Sequence, residues 1–141
     1  MKLYNHELEA FIAFLYKLKI VDYRSRMRTR FMKLLAEYFN RFKEDYMALI
    51  QEHAHLDEEG KPRTIQEDGI EKYDIIDRAA FVKAYQELIE EEIIIEETEE
   101  RKSMLLSVKE SVLHCGIAFE GEEQFAYDRW CQLLEESYAE E

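Results

Sequence analysis

The sequence predicts an α+β chain, mainly α: a long helical hairpin, a small antiparallel β-sheet and two further helices. Three observations carry this. Tyr23 to Ile50 runs without glycine or proline and repeats its apolar residues at intervals of three and four. Only one proline and four glycines interrupt the whole chain, so helix breakers are scarce. Two stretches, 63–76 and 92–97, switch to β-branched and aromatic residues around turn signals. At 141 residues the chain can bury a core and fits one domain, 1–141. Within it the elements group as a helical hairpin over 1–56, a β-hairpin, helix and strand over 57–97, and C-terminal helices over 98–141.

The first helix is expected over 5–19, with Asn5 as its cap. Leu8, Phe11, Ile12, Leu15 and Leu18 form its apolar stripe, widened by Phe14 and Tyr16. A short link, Ile20 to Arg24, leads to the spine. A link this short makes the two helices antiparallel neighbours. The spine's stripe is Met27, Phe31, Leu34, Leu35, Tyr38, Phe42, Tyr46, Leu49 and Ile50. From Ser25 it runs about 26 residues, roughly 40 Å at 1.5 Å per residue. Ser25 or Asp22 can cap it. Gly60 and Pro62 are expected to end it, leaving His53 and His55 exposed in its last turn. Those histidines with Asp57 and Glu58 can be weighed as a metal cluster. Residues two apart on a helix diverge, however, and a histidine at a helix C-terminus already suits the dipole.

Residues 63–76 predict two strands about Asp68-Gly69, the residue pair that hairpin turns favour. A lone hairpin is marginal in water, and 92–97, with Ile93, Ile94 and Ile95, offers a third strand. Asp77 caps a helix to Glu91, with Phe81, Val82, Tyr85, Leu88 and Ile89 inward and Glu87, Glu90, Glu91 and Glu92 outward. Thr98 caps the next helix, whose face is Met104, Leu105, Val108, Val112 and Leu113; Gly116 suits its end. The last helix, Glu122 to Tyr138, is anchored by Phe125, Tyr127, Trp130, Leu133, Leu134 and Tyr138, with Trp130 read as core. The tail, Ala139 to Glu141, is expected to fray.

Charge is unevenly spread over the net −13. Residues 1–43 hold ten Lys and Arg against four Asp and Glu, +6; residues 44–141 hold nine against twenty-eight, −19. Within the basic part, Arg24, Arg26, Arg28 and Arg30 stand on alternate positions at the start of the spine helix. Cations there oppose the helix dipole, each by roughly a few tenths of a kcal/mol. Two explanations stay open. The arginines pair with the chain's own carboxylates, or they meet an external anion, either a phosphate or the acidic surface of a partner. Arg24 and Arg28 share one helix face and Arg26 and Arg30 another.

No catalytic constellation emerges. The glutamates lack the distinct, partly buried environments that separate an acid from a base, and no Gly-rich phosphate loop, GxSxG or HExxH is present. Cys115 and Cys131 lack metal-ligand spacing and fit free buried thiols in a reducing cytosol. Neither a cofactor nor a metal site is expected. The first residues do not form a secretory signal, and no apolar run reaches the roughly 20 residues that a membrane-spanning helix needs.

The runs SRMRTRFMKLL, QELIEEEIIIEE and FEGEEQFAYDRWCQLLE, with Tyr127-Asp128, Cys131 and Leu134 inside the last, carry a resemblance over most of the chain. It resembles an uncharacterised family of phage and prophage proteins from Gram-positive bacteria, a domain of unknown function. The resemblance implies a phage or prophage origin and assigns no catalytic residue.

The expectation is therefore a non-enzymatic phage or prophage protein that acts by protein–protein contact, as a virion or assembly component or as an accessory factor. It would lie in the host cytoplasm or in the virion. The expected partner-binding residues are Arg24, Arg26, Arg28 and Arg30, with Lys33 in support; the partner is a virion subunit or a host protein, and a homo-oligomer is open. Neither direct nucleic-acid nor membrane binding is expected. The alternative is an acidic mimic of nucleic acid that inhibits a host nuclease or defence protein through Glu87, Glu90, Glu91, Glu96, Glu97, Glu99 and Glu100.

Overall fold

A computed structural model describes residues 1–138; the expected fraying of Ala139 to Glu141 lies outside the described residues. In chain order the elements are β1 (Lys2–Tyr4), a 3₁₀ turn (Asn5–Glu7), α1 (Leu8–Lys17), α2 (Asp22–His53), β2 (Thr64–Glu67), β3 (Ile70–Tyr73), α3 (Arg78–Ile89), β4 (Glu92–Ile94), α4 (Glu99–Leu113) and α5 (Glu122–Glu136). This is α+β, mainly α, with a long helix and two small antiparallel sheets. The chain divides into two compact units: residues 1–39 with the chain from 92 onward, and residues 40–91.

The first unit holds the larger core. Phe11 is fully buried, stacks on Trp130 (4.7 Å between ring centroids) and meets the edge of Phe31 (5.7 Å). Around these rings pack Leu8 and Leu15 of α1, Leu35 of α2, Leu105 and Val108 of α4, and Leu134 of α5. Trp130 is thus a core residue, as its position in the α5 stripe predicts. Two predicted anchors are not inside: Tyr16 is 75% exposed and Phe125 68%. Phe125 stands two residues from Tyr127, about 200° around a helix, so it turns away from the side that buries Trp130. Cys131 takes an inward position instead. Its thiol is pushed up by burial, opposite to what a nucleophilic cysteine needs.

β1 has no counterpart among the predicted elements. Leu3 pairs with Ile93, and Leu3, Ile93 and Ile95 point inward while Ile94 points out. This overturns the predicted three-stranded sheet. The triplet of isoleucines needs a partner with one buried face, and the hairpin β2–β3 has none: its residues are exposed on both faces, save a half-buried Glu67. Asn5 is not the cap of α1 either. It is buried in the 3₁₀ turn, and Glu7 reaches back to the Tyr4 N–H at 3.0 Å.

Glu7 also accepts two hydrogen bonds from Arg129 of α5, at 2.7 and 3.1 Å, a fork that ties the chain start to the last helix. Burial opposes ionisation of Glu7. The Arg129 bonds, the Tyr4 N–H and the Arg129 charge outweigh it and hold the carboxyl below its ordinary range. A carboxylate depressed in the folded state stabilises above its unfolded pKa, and that stability is lost as pH falls through the folded value. Arg129→Met is therefore expected to cost about 1–2 kcal/mol at pH 7. Glu7→Gln should flatten the fall of the urea midpoint between pH 5 and the acid limit. An unchanged acid slope in Glu7→Gln would sink this account.

In the second unit the predicted hairpin forms. Asp68 and Gly69 both take positive φ, +54° and +77°, the backbone that a two-residue turn needs at both positions. Asp77 caps α3 through Oδ1, which accepts the Ala80 N–H at 3.2 Å. Val82, predicted inward, is exposed, and Leu88 is the buried residue of α3. Tyr85 packs its ring against Tyr46 (5.6 Å) and Phe81 (6.2 Å) while remaining at the surface. α2 ends at His53 rather than at Gly60. The chain leaves the helix early because its backbone is taken elsewhere: His55 N–H donates to Asp74, Arg63 N–H to His55, and Ala54 bridges Ile75. His53 faces the Phe81 ring at 5.9 Å and is half-buried, not exposed as predicted.

α4 starts as predicted: Thr98 Oγ1 accepts the Arg101 N–H at 3.3 Å. Leu105, Val108 and Val112 are buried. Gly116 takes a left-handed backbone, φ +70°, just past the helix end. Tyr127 of α5 donates its hydroxyl to the Val112 carbonyl at 2.7 Å, which pins α5 to the last turn of α4.

Candidate partner-binding face

α2 begins at Asp22, earlier than Ser25, because the Ser25 N–H already bonds the Val21 carbonyl. All four arginines therefore lie inside the first turns. At 100° per residue Arg26, Arg30 and Lys33 fall on one outward stripe, its centre turned about 130° from that of the side that buries Met27, Phe31 and Leu35. All three are exposed, as is Arg24.

Arg28 is different. It is half-buried, and one terminal nitrogen donates to the carbonyls of Leu15 and Leu18, both at 2.8 Å. The other donates to Ser25 Oγ at 3.3 Å. Those carbonyls lie at the end of α1, where partial negative charge favours a cation, and the Leu15 carbonyl also accepts the Leu18 N–H at 3.3 Å. A cation misplaced for the dipole of α2 is well placed for that of α1. The contacts also give the direction of packing: Leu18 and Leu15 meet Arg28, and Phe11 meets Phe31. The two helices are antiparallel neighbours, as the short link predicts.

Of the two explanations for the arginine run, internal pairing therefore holds for Arg28, but with backbone carbonyls rather than carboxylates. Among the described residues, Arg24, Arg26, Arg30 and Lys33 take part in no ion pair or side-chain hydrogen bond.

Beside the stripe lies a shallow groove of about 390 Å³, lined by Ile12 and Tyr16 of α1 and by Arg28, Thr29, Met32, Lys33 and Ala36 of α2. Thr29 donates its hydroxyl to the Ser25 carbonyl at 2.9 Å, so its polar atom is already satisfied. The groove thus offers an apolar floor, an exposed tyrosine on one wall and Lys33 on the other. The apolar stripe expected from sequence includes Tyr16. Its angular offset from Leu8 and Leu15, about 80–100°, is the signal that places it at the rim.

The acidic residues of the alternative are distributed differently. Glu87, Glu90 and Glu91 are exposed in the second unit, and Glu96, Glu97, Glu99 and Glu100 are exposed in the first. Glu97 is already engaged: it accepts from the Met1 ammonium at 2.9 Å and from the Tyr138 N–H. Burial raises the Glu97 pKa and these bonds lower it further, so it stays ionised below the usual carboxylate range. Among the described residues no group of three or more His, Cys, Asp or Glu converges as a metal site, and no helix is long and apolar enough to cross a membrane. Comparison of the chain with protein-family models, with curated proteins and with solved structures returns no match.

Proposed function

We propose that this protein works by protein–protein contact, and that the stripe Arg26, Arg30 and Lys33, flanked by the Tyr16 groove, receives an acidic segment of a partner. The observation that supports this is the contrast within one arginine run. Arg28 is consumed by the fold, whereas its neighbours stand exposed and without internal partners. Arginine and tyrosine are also the residue types that concentrate binding energy at interfaces. A partner anchored by an aromatic or aliphatic side chain in the groove, with carboxylates over the stripe, satisfies both halves of the surface. The resemblance to phage and prophage proteins makes a virion subunit or a host protein the class of partner to test, with an assembly or accessory role.

The experiment is a pull-down and affinity measurement with the Arg26→Glu/Arg30→Glu double variant against wild type, using phage-infected lysate and then the isolated partner. Exposed charges away from caps change stability by less than about 0.5 kcal/mol. The double variant, which also removes two cations from the N-terminal turns of α2, should therefore melt no lower than wild type yet lose its partner by at least tenfold, with the association rate falling most. Retention of the partner by the double variant would reject the basic stripe as the contact. Capture of a basic nucleic-acid-binding protein in competition with DNA would move the contact to the glutamates instead.

A further inference from the structure

β2 carries an unpaired edge. It pairs with β3 on one side, and among the described residues that sheet has two strands. The Asp74 N–H donates to the Arg63 carbonyl at 2.8 Å, so Arg63 turns its backbone towards the β3 side. Backbone direction alternates along an antiparallel strand. Ile65 and Glu67 therefore also bond inward, and the N–H and C=O groups of Thr64 and Gln66 point to the open edge. Residues 63–66 are exposed, with Ile65 at 41%.

Laid antiparallel against a second copy of itself, the stretch Arg63 to Glu67 is self-complementary about Ile65. Arg63 stands opposite Glu67 of the second copy, Thr64 opposite Gln66, and Ile65 opposite Ile65. Three independent requirements meet in this register. A twofold axis relating two identical antiparallel strands must pass between a residue and its own copy, and here it passes at Ile65. The outward-pointing backbone of Thr64 then meets the outward-pointing backbone of Gln66, which is the pairing that closes hydrogen bonds. Arg63, Ile65 and Glu67 share a face at period two, so two opposite-charge pairs flank an isoleucine contact. Each of these cross-strand pairs is favourable. Glu67 has one other cation nearby, Arg78 at 3.7 Å, in an exposed contact that leaves room for a second.

We propose that β2 is a homodimerisation edge: two copies join through Arg63 to Glu67 into a four-stranded antiparallel sheet. This goes beyond the arginine stripe of α2 and does not depend on it. It also gives the hairpin what its composition lacks alone, since two strands with no buried face are marginal and an open edge is a template for pairing.

The test is sedimentation equilibrium of the full chain at micromolar concentrations. Wild type is expected to dimerise reversibly. Arg63→Glu and Glu67→Arg each place like charges opposite one another twice, and each should raise the dimer dissociation constant on the order of tenfold or more. An equimolar mixture of these two variants restores both opposite-charge pairs only between unlike chains, so it should form heterodimers. The double swap Arg63→Glu/Glu67→Arg should dimerise like wild type. Gln66→Pro removes one outward N–H and leaves the bonds to β3 in place, a substitution that edge strands tolerate; it should be monomeric with an unchanged circular dichroism spectrum. Wild type that is monomeric at every concentration overturns the proposal. So does a dimer indifferent to the single reversals, or a mixture of the two variants that fails to associate.

Discussion

Phe11→Ala is expected to lower the unfolding free energy by about 3–5 kcal/mol, the range for truncating a fully buried aromatic ring. Phe11 has no exposed surface, and its ring is shared between Trp130 of α5 and Phe31 of α2. Removing it opens a cavity where three helices meet, and it forfeits the stacking with Trp130. Domains of this size are stable by roughly 5–15 kcal/mol in total. The variant should therefore unfold at a clearly lower urea concentration, with a melting temperature reduced by about 10 °C or more. Phe125→Ala is the matched control: it removes the same side chain from an exposed position of α5 and should stay within about 0.5 kcal/mol of wild type. If the two variants melt alike, the ring stack is not the centre of the core.

Arg28→Met is expected to cost about 2 kcal/mol, several times more than the same change at Arg24, Arg26 or Arg30. Hydrogen bonds to a charged group contribute about 1.5–3 kcal/mol each when buried. The half-exposed position of Arg28 argues for the low end of the total, although it serves two carbonyls. Methionine keeps the length and apolar stem of the side chain but removes the guanidinium donors from the Leu15 and Leu18 carbonyls. Arg28→Lys should recover part of the loss, since an ammonium keeps the charge at that helix end but cannot reproduce the planar guanidinium's reach to Ser25 as well. The measurement is urea denaturation of the four single Met variants side by side. Equal, small losses at all four positions would mean that the arginine run is uniform after all and that Arg28 has no structural role.

These two results bear on how far a sequence can be read. The α2 stripe was legible because apolar spacing over several turns reports one continuous buried face. The turn Asp68-Gly69 and the caps Asp77 and Thr98 were legible because they are local chemistry, a backbone conformation or a side chain reaching a nearby N–H. β1 was not, since three residues are too few to show a period. The exposure of Phe125 and Tyr16 was also hidden, because both are apolar enough to be counted into a stripe whose centre lay elsewhere. At the candidate site, the exposed cations were legible as a basic run, but not the difference between Arg28 and its neighbours.

By itself, then, the sequence determined the fold class, the buried side of the spine helix, the hairpin turn, and the concentration of cations at the start of α2. The tertiary structure alone decided which strand β4 joins, where α2 stops, and which arginine belongs to the fold. The physical reason is common to all three. Periodicity and capping are settled within a few residues of chain, whereas a strand needs an edge and a terminal carbonyl needs a donor, and either can come from any part of the sequence that packing brings near. Ile93 found its edge at Leu3, and the last carbonyls of α1 found their donor in Arg28.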